Sequence, residues 1–310
     1  MSQRYPDWER EGKDWPNRAA SRFVSTQGYR WHVQQMGKSV DEAPTILLIH
    51  GTGAGTHSWR DIMPLLAEDH HVIALDLPGH GFTRPTFQRR VTLPAMAHSI
   101  NALIQHLEVQ PDLVVGHSAG AAIGVQILLD HDWHVPLIGF TPALMPFPGL
   151  GAKIFPSLAR VLFTNPFTAI IFSRMASRPG EAEKFLKRAT GSDLDATGLN
   201  YYGRLFRHSG HCDGAIRMMA NWDLDTLGSR LTELRTPTLL LYAEKDKAIS
   251  QSSILDAAER ITDAVTQEMG ALGHLAHEED AEQAVRIIRE FGALHLKREG
   301  RNDRQNGAAQ

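Results

Sequence analysis

Apolar and polar positions follow two rhythms along this chain. Short runs rich in aliphatic, aromatic and β-branched residues read as strands: "FVSTQ", "YRWHVQ", "TILLIH", "HVIALD", "DLVVG", "PLIGF", "TLLLYA" and "TQEMG". The three central runs are nearly all aliphatic, as strands covered on both faces should be. Between the runs the spacing turns helical. "LPAMAHSINALIQHL" puts its apolar residues on one helical face, and Ala284, Ile287, Ile288, Phe291 and Leu294 do the same near the end. This alternation predicts an α/β fold with a mostly parallel central sheet and helices on both faces.

The alternation breaks between about Thr141 and Leu234. The segment opens "TPALMPFPGLGAKIFPSLARVLF" and continues in helical patterns until "TPTLLLYAEKD" restores a strand. The economical reading is a helical lid inserted between two strands of one sheet. The expected organisation is therefore a leader over 1–20, a core over 21–141 and 235–296, a lid over 142–234, and a polar, disordered tail over 297–310.

Composition narrows the class. The 310 residues are 42% hydrophobic and 22% charged with a formal net charge of −3. These are the proportions of a globular protein with a large core and no basic footprint for nucleic acid. Cys212 is the only cysteine, which excludes an internal disulfide and fits a reducing compartment. The charged start "MSQRYPDWEREGKDWPNR" has no apolar signal region, and no apolar run is long enough to span a bilayer. A cytoplasmic protein is the expectation, with contact between the apolar lid and a membrane surface left open. The sixteen histidines are scattered and form no HExxH-like ligand cluster, so no metal site is expected.

Candidate chemistry begins at Gly116-His117-Ser118-Ala119-Gly120, a G-x-S-x-G elbow with a buried strand before it and a small-residue helix after it. A strained turn that lifts a serine hydroxyl above a sheet leaves no room for bulk on either side. A nucleophilic serine needs a base and an orienting acid, in the chain order serine, acid, histidine. Asp246 stands just beyond "TLLLYA" and His274 follows the last strand, both where open α/β sheets form their sites. Glu244 is the alternative acid, though nearer the strand and more easily a surface charge. His277 is the alternative base, though the acidic "HEED" suggests a solvated position. In "HGTGAGTHSWRD" the glycine-rich loop lacks both the P-loop ending and dinucleotide spacing, so it reads as an oxyanion-hole element. The Thr52 N–H would act with that of Ala119. Trp59 would line the pocket or brace the loop, and Asp76 would orient a loop. Cys212, near His208 and His211, reads as structural.

From roughly Ser21 to Leu296 the ordered features "HGTG", "DLPGHG", "GHSAG", "AEKD" and "GHLAHEE" resemble the α/β-hydrolase superfamily. Serine at the elbow separates the chain from relatives that carry aspartate there. The stretches "DWPNRAASRFV", "HGTGAGTHSWRD", "VVGHSAGAA", "TGSDLDATG", "MMANWDL" and "ALGHLAHEE" resemble more narrowly the magnesium-chelatase accessory hydrolases (BchO type) of bacteriochlorophyll-synthesising bacteria. Ala271 and Ala243 replace glycines usual in that family, and neither position has a catalytic role. The resemblance implies a serine hydrolase without cofactor, with Ser118, Asp246 and His274 as its triad. It also implies work near magnesium insertion into protoporphyrin, with magnesium chelatase as a partner. The lid residues Phe147, Leu150, Phe155, Leu158, Leu162 and Phe163 suggest a large apolar substrate such as a tetrapyrrole. The implied alternatives are a non-catalytic tetrapyrrole-binding accessory and a general carboxylesterase.

Overall fold

The computed structural model describes residues 4–86, 91–146 and 166–296. The apolar lid candidates Phe147, Leu150, Phe155, Leu158, Leu162 and Phe163, and the tail over 297–310, lie outside the described residues.

Among the described residues nine strands form one sheet: β1 (Ser21–Thr26), β2 (Tyr29–Gly37), β3 (Thr45–Ile49), β4 (His71–Leu75), β5 (Arg84–Pro85), β6 (Leu113–His117), β7 (Leu137–Phe140), β8 (Thr238–Tyr242) and β9 (Ala264–Glu268). Their order is β1-β2-β4-β3-β6-β7-β8-β9, with the two-residue β5 on β2. The β1–β2 and β2–β4 pairs are antiparallel, and every pair from β4 to β9 is parallel. β5 has no sequence signature, being held by pairing rather than pattern.

The aliphatic runs follow from double coverage. Leu47, Ile49, Ile73, Leu75, Val114 and Leu240 join the core on one face, under the helices Leu93–His106, Ala119–Asp130 and Gln251–Arg260. Their neighbours Ile46, Leu48, Val72, Ala74, Val115 and Leu241 join the core on the other, under Ile62–Leu66 and Ala281–His295. Alternate side chains leave a strand on opposite faces, so burial of both requires apolar residues at consecutive positions. Helix Leu93–His106 buries the expected stripe of Leu93, Met96, Ala97, Ile100, Leu103 and Ile104. In the last helix Ala284, Ile287, Ile288 and Phe291 are buried, but Leu294 is 79% exposed. It shares the stripe by spacing yet lies on the final turn, beyond the covered part of the helix. β9 starts two residues earlier than its sequence pattern and is mostly exposed, as an edge strand can be.

Between β7 and β8 the described residues contain no strand. They form the helices Pro166–Ala176, Glu181–Thr190, Ala196–Phe206, Ser209–Ala220 and Leu224–Arg230. The N-terminal segment packs down as well. Trp15 is buried beside Phe82 and Leu205, and its indole N–H donates to Thr56 Oγ1 at 2.9 Å.

Candidate active site

Because β3, β6 and β8 run parallel, the residues that follow them emerge along one edge of the sheet. Ser118 follows β6 with φ 51° and ψ −116°, a strained conformation for a residue with a side chain. Its neighbours explain the motif. A Cβ on Gly116 would stand 2.4 Å from the Ala121 nitrogen, and one on Gly120 would stand 2.1 Å from the Ile49 carbonyl oxygen. The elbow is thus wedged between its own helix and the end of β3, and only glycine fits at either place. The Ser118 N–H donates to the Phe140 carbonyl, which anchors the turn to β7.

Asp246 and His274 meet. His274 Nδ1 lies 2.8 Å from Asp246 Oδ2, while Asp246 Oδ1 accepts the Ala248 and Ile249 N–H groups at 2.7 and 2.9 Å. The carboxylate side chain is 2% exposed and the imidazole 9%. The histidine backbone is also fixed: its N–H donates to the Thr190 carbonyl, and its carbonyl accepts from Thr141 Oγ1 and His117 Nε2. Thr141 makes that contact at φ 43°, an outlying value for a β-branched residue. The structure joins the acid to the base, while Ser118 Oγ makes no hydrogen bond to His274.

The alternatives separate clearly. Glu244 is exposed. His277 is not solvated, as the "HEED" context suggested, but completely buried, with its ring stacked against His117 at 4.4 Å and Trp59 at 4.7 Å. The helix Ala276–Glu279 turns inward here because Glu278 has buried partners. Glu278 accepts from Ser58 Oγ and Tyr202 Oη at 2.6 Å and from Arg60 Nη1 at 2.8 Å. Arg60 also pairs with Asp195 of the insertion. Burial pushes the Glu278 carboxyl up to about 6 despite those donors, and burial drives His277 and His117 well below the usual imidazole range. Sequence reasoning missed this cluster. Its parts sit in "HSWRD", "SDLDATG" and "HEED", whose charges read locally as surface charges.

The loop after β3 closes against the elbow: a Cβ on Gly51 would stand 3.2 Å from the Ser118 Cβ. The Thr52 and Ala119 N–H groups donate to no acceptor among the described residues. Three histidines hold the surroundings. The Leu77 N–H donates to His50 Nε2, so His50 Nδ1–H donates to the Gly51 carbonyl. The Gly81 N–H donates to His211 Nδ1, so His211 Nε2–H donates to the Gly53 carbonyl. His32 Nδ1 lies 2.8 Å from Asp76 Oδ2, and Asp76 also accepts the Thr56 and Phe82 N–H groups. Burial alone would raise the Asp76 carboxyl, but His32 and these donors hold it well below the usual carboxylate range. Asp76 thus fastens loops. Trp59 is fully buried and braces the loop rather than lining a pocket. The Cys212 Sγ faces the Phe206 carbonyl at 3.2 Å, and burial pushes the thiol up to about 12, which suits a structural residue.

Apolar residues of the insertion border this loop. Met218 Sδ lies 3.6 Å from Thr52 Oγ1, and Phe206 would meet a Cβ on Gly53 at 3.7 Å. No group of three or more His, Cys, Asp or Glu among the described residues is placed to hold a metal ion.

Residues 46–287 match the model of a family described as the alpha/beta hydrolase family. The magnesium-chelatase 30 kDa subunit of Rhodobacter capsulatus is 38% identical over 86% of this chain and 92% of its own. A 2-hydroxy-6-oxononadienedioate/2-hydroxy-6-oxononatrienedioate hydrolase of Pseudomonas putida is 24% identical over 84% of this chain and 90% of its own. Among solved structures, the enol-lactonase of Burkholderia xenovorans LB400 superposes with a TM-score of 0.72 at 18% identity, covering 87% of this chain and 99% of its own.

Proposed function

The chain belongs to the alpha/beta hydrolase family, in a branch with the magnesium-chelatase 30 kDa subunit, and from that premise we propose that it is a serine hydrolase cleaving an ester-like bond in bacteriochlorophyll synthesis, near magnesium chelation. Ser118 Oγ attacks the acyl carbon and gives its proton to His274 Nε2. Asp246, accepting from Nδ1–H, holds the imidazole in the required tautomer and stabilises its charged form. The Thr52 and Ala119 N–H groups receive the tetrahedral oxyanion, a contribution of about 3 to 4 kcal/mol per donor. Collapse breaks the bond to the leaving oxygen, which takes the proton from His274. Water then repeats the sequence on the acyl-enzyme and restores Ser118.

The observation that carries this reading is the fixed Asp246–His274 pair together with a strained Ser118 whose following amide is unclaimed among the described residues. The missing Ser118–His274 hydrogen bond is compatible with it, because such contacts often tighten only around bound substrate. Phe206 and Met218 at the loop favour a large apolar substrate, of the tetrapyrrole class, under a lid built from 142–234. A second reading is favoured by the name of the Rhodobacter relative, a chelatase subunit: the chain binds a tetrapyrrole for magnesium chelatase, with its triad idle. Replacing Ser118 by alanine in the source organism and profiling tetrapyrrole intermediates separates the two. The hydrolase reading predicts that the folded S118A protein blocks pigment synthesis as deletion does. Normal pigment with S118A and loss only on deletion would overturn it in favour of the accessory.

A further inference from the structure

The helix Pro166–Ala176 has an inverted exterior. Ala169, Ser173 and Ala176 are buried, and Ala169 packs against Cys212 and Ile216 of the helix Ser209–Ala220. The opposite face presents Phe167 (64% exposed), Ile170 (36%), Ile171 (65%) and Met175 (41%). Their spacing places them in one stripe along the helix. Phe185 of the next helix extends it, 41% exposed and with its ring 5.0 Å from that of Phe172. Single exposed apolar residues are ordinary, but a contiguous stripe marks an interaction surface.

The charges beside the stripe identify the partner. Arg174, Arg178, Lys184, Lys187 and Arg188 accompany only Glu181 and Glu183 in these two helices and their link, on a chain whose net charge is −3. Lys184 pairs with Glu181 and Lys187 with Asp193, whereas no ion pair among the described residues involves Arg174, Arg178 or Arg188. Arg174 is exposed and lies within the stripe. A guanidinium there can extend to a phosphate while its stem stays with the apolar layer. In the centre of a protein–protein interface it would need a carboxylate brought to meet it.

We propose that this two-helix face docks on an anionic phospholipid bilayer, with Ile170, Ile171, Met175 and Phe185 at the acyl boundary and Arg174, Arg178 and Arg188 among the headgroup phosphates. Docking turns the insertion toward the membrane, so that an apolar substrate dissolved there reaches the protein without crossing water. No helix among the described residues is long and apolar enough to cross a membrane.

The test is co-sedimentation of the full chain with vesicles of phosphatidylcholine alone and of phosphatidylcholine mixed with phosphatidylglycerol. Binding to the mixed vesicles is expected, with loss at high salt and little binding to the neutral ones. Ile171→Glu should weaken it at least about tenfold, and Arg174→Gln or Arg178→Gln about fivefold each. All three positions are exposed, so thermal midpoints and circular dichroism should match the parent. Absence of binding, equal binding to both vesicle types, or binding indifferent to Ile171→Glu overturns the proposal. So does a dimer without lipid that Ile171→Glu dissociates, which assigns the face to a second copy of the chain.

Discussion

Two serine–histidine–aspartate groupings can be compared among the described residues, and the better connected one is the less suited to the proposed catalysis. In the first, Ser21 Oγ lies 3.0 Å from His32 Nε2, and His32 Nδ1 lies 2.8 Å from Asp76. In the second, His274 and Asp246 also meet at 2.8 Å, while Ser118 makes no bond to the ring. The first is sealed. Its histidine and aspartate side chains are 0% exposed, with the rings of Trp8, Phe23 and Phe82 packed around the imidazole. Ser21 has ordinary extended dihedrals, lies in a regular strand, and also accepts from Gln34 Nε2. Asp76 spends its remaining acceptor capacity on the Thr56 and Phe82 amides, joining loops. Besides His274, Asp246 accepts only from its own turn among the described residues. A hydrogen-bonded chain of these three residue types is thus a fastener by itself. Strain at the serine, unclaimed amides beside it and an imidazole that is not wholly sealed are what the proposed site has and the fastener lacks.

That contrast breaks if the wrong serine matters. Ser118→Ala should lower hydrolysis of a p-nitrophenyl ester by about 10⁴-fold or more, whereas Ser21→Ala should leave kcat within about threefold. The aspartates should separate next. Asp246→Asn disturbs the tautomer of the base, and kcat should fall by about 10⁴-fold with the urea midpoint little changed. Asp76→Asn weakens a charge-assisted fastening, and its main cost should be about 2 kcal/mol of stability read from urea unfolding.

Titration sharpens the comparison. His50, His57, His80, His117, His211 and His277 are buried with their basicity depressed, burial being the largest cause for each. The folded protein keeps them neutral where the unfolded chain takes up protons. Their contribution is therefore complete above about pH 6.5 and falls as the pH drops, by up to about 1.4 kcal/mol per pH unit for each. Glu278 opposes them between 4.5 and about 6, where the folded state gains its proton first. Six groups against one set the sign, so denaturation between pH 8 and 5 should show falling stability. Asp76, whose carboxyl is depressed, adds a further loss below 3.8, which Asp76→Asn should remove. The smallest effect concerns the seal: Trp15→Phe loses the bond to Thr56 and should cost about 1 kcal/mol, with kcat preserved.

The sheet was legible because double burial writes itself locally as aliphatic runs. The elbow was legible because close packing admits only glycine at two positions and leaves them in fixed spacing. Asp246 and His274 could be picked from their places after strands, since a parallel sheet brings those ends together. What escaped depends on partners far apart in the chain. Arg60 and Glu278 are 218 positions apart, and Ser21, His32 and Asp76 come from three separate segments. Neither grouping leaves a local pattern, and the charges of "HEED" look the same whether they face water or a buried guanidinium. One signal was present: Trp8 and Trp15 are large apolar residues in an otherwise charged leader. Such residues are retained where they have something to cover, here Phe82 and the ring of His32.

The central claim, that Ser118 and not Ser21 is the nucleophile, is tested most directly by a fluorophosphonate probe followed by peptide mapping. The account predicts one adduct, on Ser118, that disappears in Ser118→Ala and is strongly slowed in His274→Ala. No adduct on the folded protein, or one on Ser21, would contradict it.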